Sequence, residues 1–468
     1  MLLRLVLGLL LVTLSVNAQS MIGPTWRLDY YHTGGPGLEA FSLDRIVVEP
    51  LPFPGHPSGF VDPASTGGYR FELRDAKGSV VYARGFSSIF AEWITTEEAT
   101  TQNRTFHESV RFPAPDGPVS VVILKRGAKN AFQDVWRQAV DPKDMFVHRA
   151  APDRQKVVAI EKNGESEDRV DVLLLGDGYT SAEMDKFLKD ARRLTEEFFR
   201  HEPFRTNRSR FNIWAMCSPA LESGISRPST GIYRANPVGS TYDAFGSERY
   251  VLTFGNRAMR EIACWAPYEF VEILVNNETY GGGGIYNLYA TVSVDNDWAN
   301  YIFVHELGHH LAGLADEYYT SPVAYQPPSE MTEPWEPNVT ALLHPPSLKW
   351  RDLVQPGTPI PTPWPKDEFE QHAREIQQRR TAIRAERRPE SEMSTLFREQ
   401  QRTESQLLGS SKYATRVGAF QGANYDAKAF YRSQADCIMF TRNDVPFCAV
   451  CRKALERVIG LYAPNQLN

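Results

Sequence analysis

Two histidines one helical turn apart, with a glutamate beside the first, constrain this chain more than any other feature. In His305-Glu306-Leu307-Gly308-His309 both imidazoles fall on one face of a helix, because residues four apart stack over each other. Their nitrogens can address a single zinc ion. Glu306 then lies beside the position that the protein leaves open, where a carboxylate serves as general base toward metal-activated water. The preceding Tyr301-Ile302-Phe303-Val304 is apolar or aromatic, as a buried helix requires, and Gly313 predicts the helix end where φ turns positive. His310 points to another face and reads as structural.

A catalytic zinc needs a third protein ligand. In metzincin peptidases the second histidine is followed by two residues, a glycine, two more residues and then His or Asp. Here three residues separate His309 from Gly313, and the Gly-x-x-Asp tail ends on Asp316. The glycine lets the chain turn beneath the metal and bring in a carboxylate. Asp316 is therefore the expected third ligand. Glu317 is second choice and a carboxylate on a later helix third; on the bland reading Asp316-Glu317 merely caps a loop.

The segment Met1 to about Ala18 has a basic start at Arg4, an apolar run from Leu5 to Val12 and small residues at Val16-Asn17-Ala18, the pattern of a cleaved secretory signal. Export to a periplasmic or extracellular location follows as an expectation. No later segment is long and apolar enough to span a bilayer, and a net charge of -6 argues against a nucleic-acid partner. With 468 residues, 42% of them hydrophobic, the chain can bury more than one core.

Residues 20–150 read as a β-sandwich of about 120 residues. Tyr69–Leu73 alternates with period two, Asp75-Ala76-Lys77-Gly78 is a turn, and Val80–Tyr82, Ser109–Phe112 and Val119–Leu124 are further strands. His107-Glu108 reads as a hydrogen-bonded surface pair. Near Val170 the pattern changes to alternating strand and helix, so residues 155–468 form an α/β domain. Val170–Leu175, Phe211–Met216 and Glu269–Val275 are its strands. Thr180 opens a helix with Glu183 completing a capping box. Gly176-Asp177-Gly178 lacks the Lys and Ser/Thr of a phosphate loop and reads as a tight turn, with Asp177 able to border the cleft.

Gly281–Gly284 and the following Ile285–Val292 run have two readings. One is a sheet edge that pairs with an extended substrate, with Gly283, Gly284 and Tyr286 as contacts; the other is a flexible hairpin tip. Beyond the zinc motif, residues 366–408 form a charge-dense helical insertion or hairpin, solvated and broken at Pro389. Of five cysteines, Cys437, Cys448 and Cys451 cluster near the C-terminus. A disulfide from Cys437 to Cys448 or Cys451 is the preferred expectation, and Cys448-x-x-Cys451 alone is a weak metal or redox signal. Four Asn-x-Ser/Thr sites, at Asn103, Asn207, Asn277 and Asn338, are compatible with surface loops.

Several motifs together resemble the IgA-specific zinc metallopeptidase family, metzincin-like secreted bacterial endopeptidases, with its β-rich N-terminal domain. They are Tyr30-Tyr31-His32-Thr33-Gly34, Gly85-Phe86-Ser87-Ser88-Ile89-Phe90, Glu92-Trp93, Leu175-Gly176-Asp177-Gly178-Tyr179, Glu222-Ser223-Gly224, the His305–Tyr318 block, Cys437-Ile438-Met439 and Phe447-Cys448-x-x-Cys451. The resemblance implies hydrolysis of peptide bonds in protein or peptide substrates, with His305, His309 and Asp316 on one zinc ion and Glu306 as base. It also implies that Met439 belongs to a turn whose thioether floors the site. Tyr318, Tyr319 and Arg432 are candidates to hold an oxyanion. The rival reading is a surface-binding protein whose β-sandwich contacts a glycan or host protein while the zinc domain is a scaffold.

Overall fold

The computed structural model describes residues 23–64, 66–127, 130–320 and 332–464, so the expected leader at Met1–Ala18 lies outside the described residues. The chain begins with two long strands, β1 (Pro24–Gly35) and β2 (Leu38–Pro52). There follow β3 (Tyr69–Arg74), β4 (Val80–Phe86), the short helix α1 (Ile89–Trp93), β5 (Arg104–Pro113), β6 (Val119–Arg126) and β7 (Phe132–Val140). These strands form two antiparallel sheets, ordered β2-β1-β5 and β4-β3-β6-β7. Alternate side chains of both sheets, among them Trp26, Leu28, Phe112, Phe71, Tyr82 and Ile123, meet in one core. The same alternation separates His107 from Glu108. Glu108 is buried and bonds His32 Nδ1 at 3.2 Å, while His107 faces Asp44, so the expected surface pair is two unrelated contacts.

From residue 157 onward the strands are β8 (Val157–Glu161), β9 (Val170–Asp177), β10 (Phe211–Cys217), the two-residue β11 (Ser240–Thr241) and β12 (Leu252–Thr253), β13 (Phe270–Val275), β14 (Gly282–Ile285) and β15 (Tyr289–Ser293). A six-stranded sheet runs β14-β15-β13-β9-β10-β8, parallel in its centre and antiparallel at both edges. β9 is buried along its whole length, the expectation for a central strand covered on both faces.

Helix α2 (Met184–Phe198) follows the Thr180/Glu183 capping box, in which the Thr180 N–H donates to Glu183 Oε2 at 2.8 Å. It lies with α4 (Ala299–Ala312) over one face of the sheet, whereas α3 (Asn256–Ala263) belongs to the other. That second face is completed by α1 and β5: Phe90, Trp93 and Phe106 share a core with Leu173, Leu175 and Ile273.

The run after the glycines is not one strand. Residues Gly282–Ile285 pair back on Tyr289–Val292, and Asn287, at φ 54°, makes the turn that places Tyr286 at the hairpin end. These strand positions are glycine because neighbours crowd them. A Cβ at Gly282 would meet Ile302 Cγ2 at 2.5 Å, and one at Gly284 would run into the Glu306 carbonyl.

The charge-dense insertion is a helical hairpin, α5 (Lys366–Ala385) and α6 (Glu390–Gly409), with Pro389 opening the second helix. It is more than a solvated appendage. Phe369, Ile376, Ile383, Met393, Leu396 and Phe397 are buried in the main core, and ion pairs such as Arg379–Glu399 occupy the outer face. A small sheet, β16 (Val339–Thr340), β18 (Asp426–Arg432) and β17 (Phe420–Ala423), and the C-terminal helix α7 (Ala449–Tyr462) complete the chain.

Candidate active site

Helix α4 carries the two histidines, and the polar groups around it fix their tautomers. His305 Nδ1 lies 2.9 Å from the Ile438 carbonyl oxygen, and His309 Nδ1 lies 2.5 Å from that of Leu314. A carbonyl only accepts, so both Nδ1 atoms carry the proton and both Nε2 atoms present lone pairs. Those Nε2 atoms face each other at 3.1 Å. Gly313 ends the helix at φ 59°, and the chain turns back to set Asp316 Oδ1 3.0 Å from His305 Nε2 and 3.2 Å from His309 Nε2.

Three electron-pair donors thus form a triangle with edges of about 3.0–3.2 Å, close to the ~3.3 Å expected around a tetrahedral zinc with ligands at about 2.05 Å. Two imidazole lone pairs and a carboxylate repel when so close, and a proton or a metal ion is what reconciles them: burial lowers the His309 imidazole, but Asp316 outweighs it and raises it to about 9. The residues fit a metal. The carboxylate of Glu306 also lies within 4.8 Å of both histidine ligand atoms. Asp316 sits nearer and points at both, so it is the better third ligand and Glu306 the better base.

The loop carrying Asp316 is held from both sides. Asn338 accepts from the Ala315 N–H (2.8 Å) and donates to the Ala315 carbonyl (2.9 Å). The Tyr425 hydroxyl donates to Asp316 Oδ2, and the Asn424 N–H to the Asp316 carbonyl at 2.9 Å. Asn424 and Tyr425 have φ of 48° and 64°, the tight turn between β17 and β18 that aims the tyrosine at the site. Electrostatics follow the geometry. Burial raises the Asp316 carboxyl, but His309 and His305 outweigh it and hold it well below its usual range. Burial leaves the Glu306 carboxyl above its ordinary value despite the same two imidazoles. A raised carboxyl is suited to accepting a proton and then releasing it.

The model of the family described as IgA Peptidase M64 matches residues 158–459, well over half of the chain, and that described as Peptidase M64 N-terminus matches residues 19–137. The chain belongs to the IgA peptidase M64 family. It is therefore a peptidase, built as a mixed α/β molecule with a sheet-rich N-terminal region. No curated protein matches it significantly.

In this M64 peptidase the histidines open onto a cleft of about 560 Å³. Gly283, Gly284 and Tyr286 line it, as does Tyr318, whose ring lies parallel to that of His305. The edge of β14 is partly taken: Gly282 donates to the Arg249 carbonyl and accepts from the Val251 N–H, each at 3.1 Å. The Tyr286 hydroxyl bonds Thr66 Oγ1 at 2.8 Å, and its carbonyl accepts from the Ser87 N–H at 3.0 Å, so it also joins the N-terminal region. Met439 is fully buried below α4, where a Cβ on Gly308 would come within 2.9 Å of its Sδ.

Other expectations land elsewhere. Asp177 is buried away from the cleft, where it accepts from the N–H groups of Val238 (3.1 Å) and Ser240 (2.9 Å). Tyr319 and Arg432 do not reach the cleft. Tyr319 packs against Phe440, and Arg432 lies 3.7 Å over the Phe440 ring while donating to the Gly422 and Ala435 carbonyls. His310 is structural as expected: Nδ1 bonds the Ile285 carbonyl, Nε2 accepts from the Val271 N–H, and burial pushes its pKa down to about 3. Asn338 is fully buried, so its Asn-x-Thr site is not on a surface loop. Cys437, Cys448 and Cys451 carry unlinked thiols, with Cys437 and Cys451 Sγ 3.9 Å apart.

Sequence reasoning passed over Arg249 and Tyr425, and took Asn338 only as an Asn-x-Thr site. Only Asn424, a residue that tolerates positive φ, offered a local hint of the turn before Tyr425.

Proposed function

We propose that this M64 peptidase is a secreted zinc-dependent endopeptidase in which His305, His309 and Asp316 hold the metal and Glu306 is the general base. The carrying observation is the triangle of two Nε2 atoms and one carboxylate oxygen, with both Nδ1 atoms already committed to carbonyls. A bound zinc would supply Lewis-acid polarisation of the scissile carbonyl and acidify water. Glu306 takes the proton of the attacking water on its carboxylate and passes it to the nitrogen of the leaving amine. Tyr318 receives hydrogen bonds from both terminal nitrogens of Arg249 at 3.3 Å, which leaves its own proton to donate to the developing oxyanion.

An extended peptide alongside β14, past the portion occupied by residues 249–251, would bring its carbonyl toward the histidines and use Gly283, Gly284 and Tyr286 as contacts. Met439 supports the site from beneath without ligating. The leader pattern at Met1–Ala18 supports export. The scaffold alternative is disfavoured because an idle site has no chemical need for Glu306 on the cleft wall.

The test is a digest of a denatured protein mixture by the purified mature chain, with new termini read by mass spectrometry. We expect cleavage that a chelator abolishes, and a fall of at least about 100-fold in Glu306→Gln with zinc content unchanged. Turnover retained by that variant would refute the assigned base.

A further inference from the structure

Behind the catalytic triangle, Cys437, Cys448, Cys451 and Glu317 converge on one point, and we propose that they hold a second, closed zinc ion with a structural role. Their ligand atoms all lie within 4.8 Å of one another, and the four residues are buried, three of them with no exposed surface. The spacings are those of a coordination tetrahedron. Zinc–sulfur bonds of about 2.3 Å and zinc–oxygen bonds of about 2.0 Å give edges of about 3.8 Å between two sulfurs and about 3.5 Å between sulfur and oxygen. Cys437 Sγ lies 3.9 Å from Cys451 Sγ, and Glu317 Oε1 lies 3.5 Å from Cys451 Sγ and 3.9 Å from Cys448 Sγ.

The surroundings suit thiolates. The Cys448 N–H points at Cys437 Sγ (3.2 Å), the Cys451 N–H at Cys448 Sγ (3.4 Å), and the Ser433 hydroxyl lies 3.1 Å from Cys448 Sγ. Cys448 caps the N-terminus of α7, whose dipole favours negative charge. Asn338 donates to Glu317 Oε1 at 3.0 Å, while Glu317 Oε2, fully buried, has no partner. A carboxylate buried this deeply is costly unless a proton or a cation neutralises it, and a cation at Oε1 would do so. A Cys437–Cys451 disulfide would account for two sulfurs and leave Cys448 and this carboxylate without a purpose. Four protein ligands and no access leave no position for substrate, the mark of a structural site.

Its place explains what it would do. Glu317 follows Asp316 directly, its N–H donates to the Met439 carbonyl at 2.9 Å, and Ile438, beside Cys437, accepts from His305 Nδ1. One ion would clamp the third-ligand loop, the turn beneath the catalytic histidines and helix α7 together. The carboxylates at 316 and 317 then divide their work, one to each metal.

The experiment uses the unaltered mature chain and His305→Ala, so no cysteine variant has to fold. We expect two equivalents of zinc in the unaltered chain and one in His305→Ala. Replacement by cobalt(II) should give an intense near-ultraviolet thiolate-to-cobalt band in both. A single equivalent and no such band in the unaltered chain would overturn the second site, as would a disulfide joining any two of the three cysteines in unreduced peptide maps. Neither outcome depends on turnover, so loss of this inference is distinguishable from loss of the peptidase assignment.

Discussion

Tyr425 shows how a site depends on residues that no motif announces. Its hydroxyl is a donor to Asp316 Oδ2, and its removal leaves a buried carboxylate oxygen short of a partner. On the zinc site proposed above, Tyr425→Phe should therefore weaken zinc affinity by about 10–100-fold, read by competition with a chromogenic chelator, whereas His305→Ala should abolish binding at that site. Unchanged affinity in Tyr425→Phe would remove the tyrosine from the metal's support. His305, Glu306 and His309 were legible because a helix converts spacing directly into direction. Asp316 was legible through the glycine that turns the chain beneath it. Tyr425, Asn338 and Arg249 reach the site from other elements, so no spacing to the histidines marks them, and the Asn-x-Thr pattern at Asn338 pointed to a surface loop instead. Arg432 misled in the opposite sense: its charge suggested catalysis, but it is stacked between aromatic rings and its two terminal nitrogens donate to carbonyls.

Among elements, β14 leaves none of its three glycines room for a side chain. Helix α4 passes so close that an alanine Cβ at Gly284 would strike the Glu306 carbonyl and come within 2.9 Å of His309 Cβ. Backbone cannot yield as a flexible side chain can, so Gly284→Ala should cost about 1–3 kcal/mol of stability and displace the helix carrying both histidines. Urea denaturation and zinc content would check it, and a variant with unaltered midpoint and metal would refute the close-packing account. The glycine run was visible in sequence. Its purpose was not, because close approach is a property of the partner helix.

Glu39 on β2 makes a pH test of the N-terminal sheets, since it binds His32 on β1, Tyr69 on β3 and Lys125 on β6. Burial raises its carboxyl, but those hydrogen bonds outweigh burial and hold it at about 2, against an ordinary 4.5. Between these values the folded chain binds fewer protons than the unfolded one, so the contribution is present above pH 4.5 and fades as pH falls toward 2. His32, raised above its ordinary 6.5, is charged in both states there and does not interfere. The stability gap between the unaltered protein and Glu39→Gln should narrow over that range, and a constant gap would show that the carboxylate does no such work.

At the scale of the whole molecule, the pattern changes from strand-only to alternating near Val170, yet the regions on either side are not free of each other. Phe90, Trp93 and Phe106 from the N-terminal region are buried with Leu173, Leu175 and Ile273 of the central sheet. Arg111 donates to the Tyr268 carbonyl at 2.8 Å, and the Asn287 side chain to that of Gly85 at 3.0 Å. Ser87, Ala91 and Glu92 even form part of the cleft wall. Periodicity could not show this, because it reports which face of an element is apolar and not what covers that face. Aromatic side chains bury about 150–250 Å² each, so uncovering these three would forfeit on the order of 10 kcal/mol at about 25 cal/mol per Å². That is comparable to the entire net stability of a domain, about 5–15 kcal/mol. Residues 155–468 expressed alone should therefore be poorly soluble and lack a native near-ultraviolet circular dichroism spectrum, and co-expression with residues 20–150 should restore both. A folded, fully active 155–468 fragment would show instead that the N-terminal region is a detachable accessory, whereas failure rescued in trans would make it a structural wall of the peptidase itself.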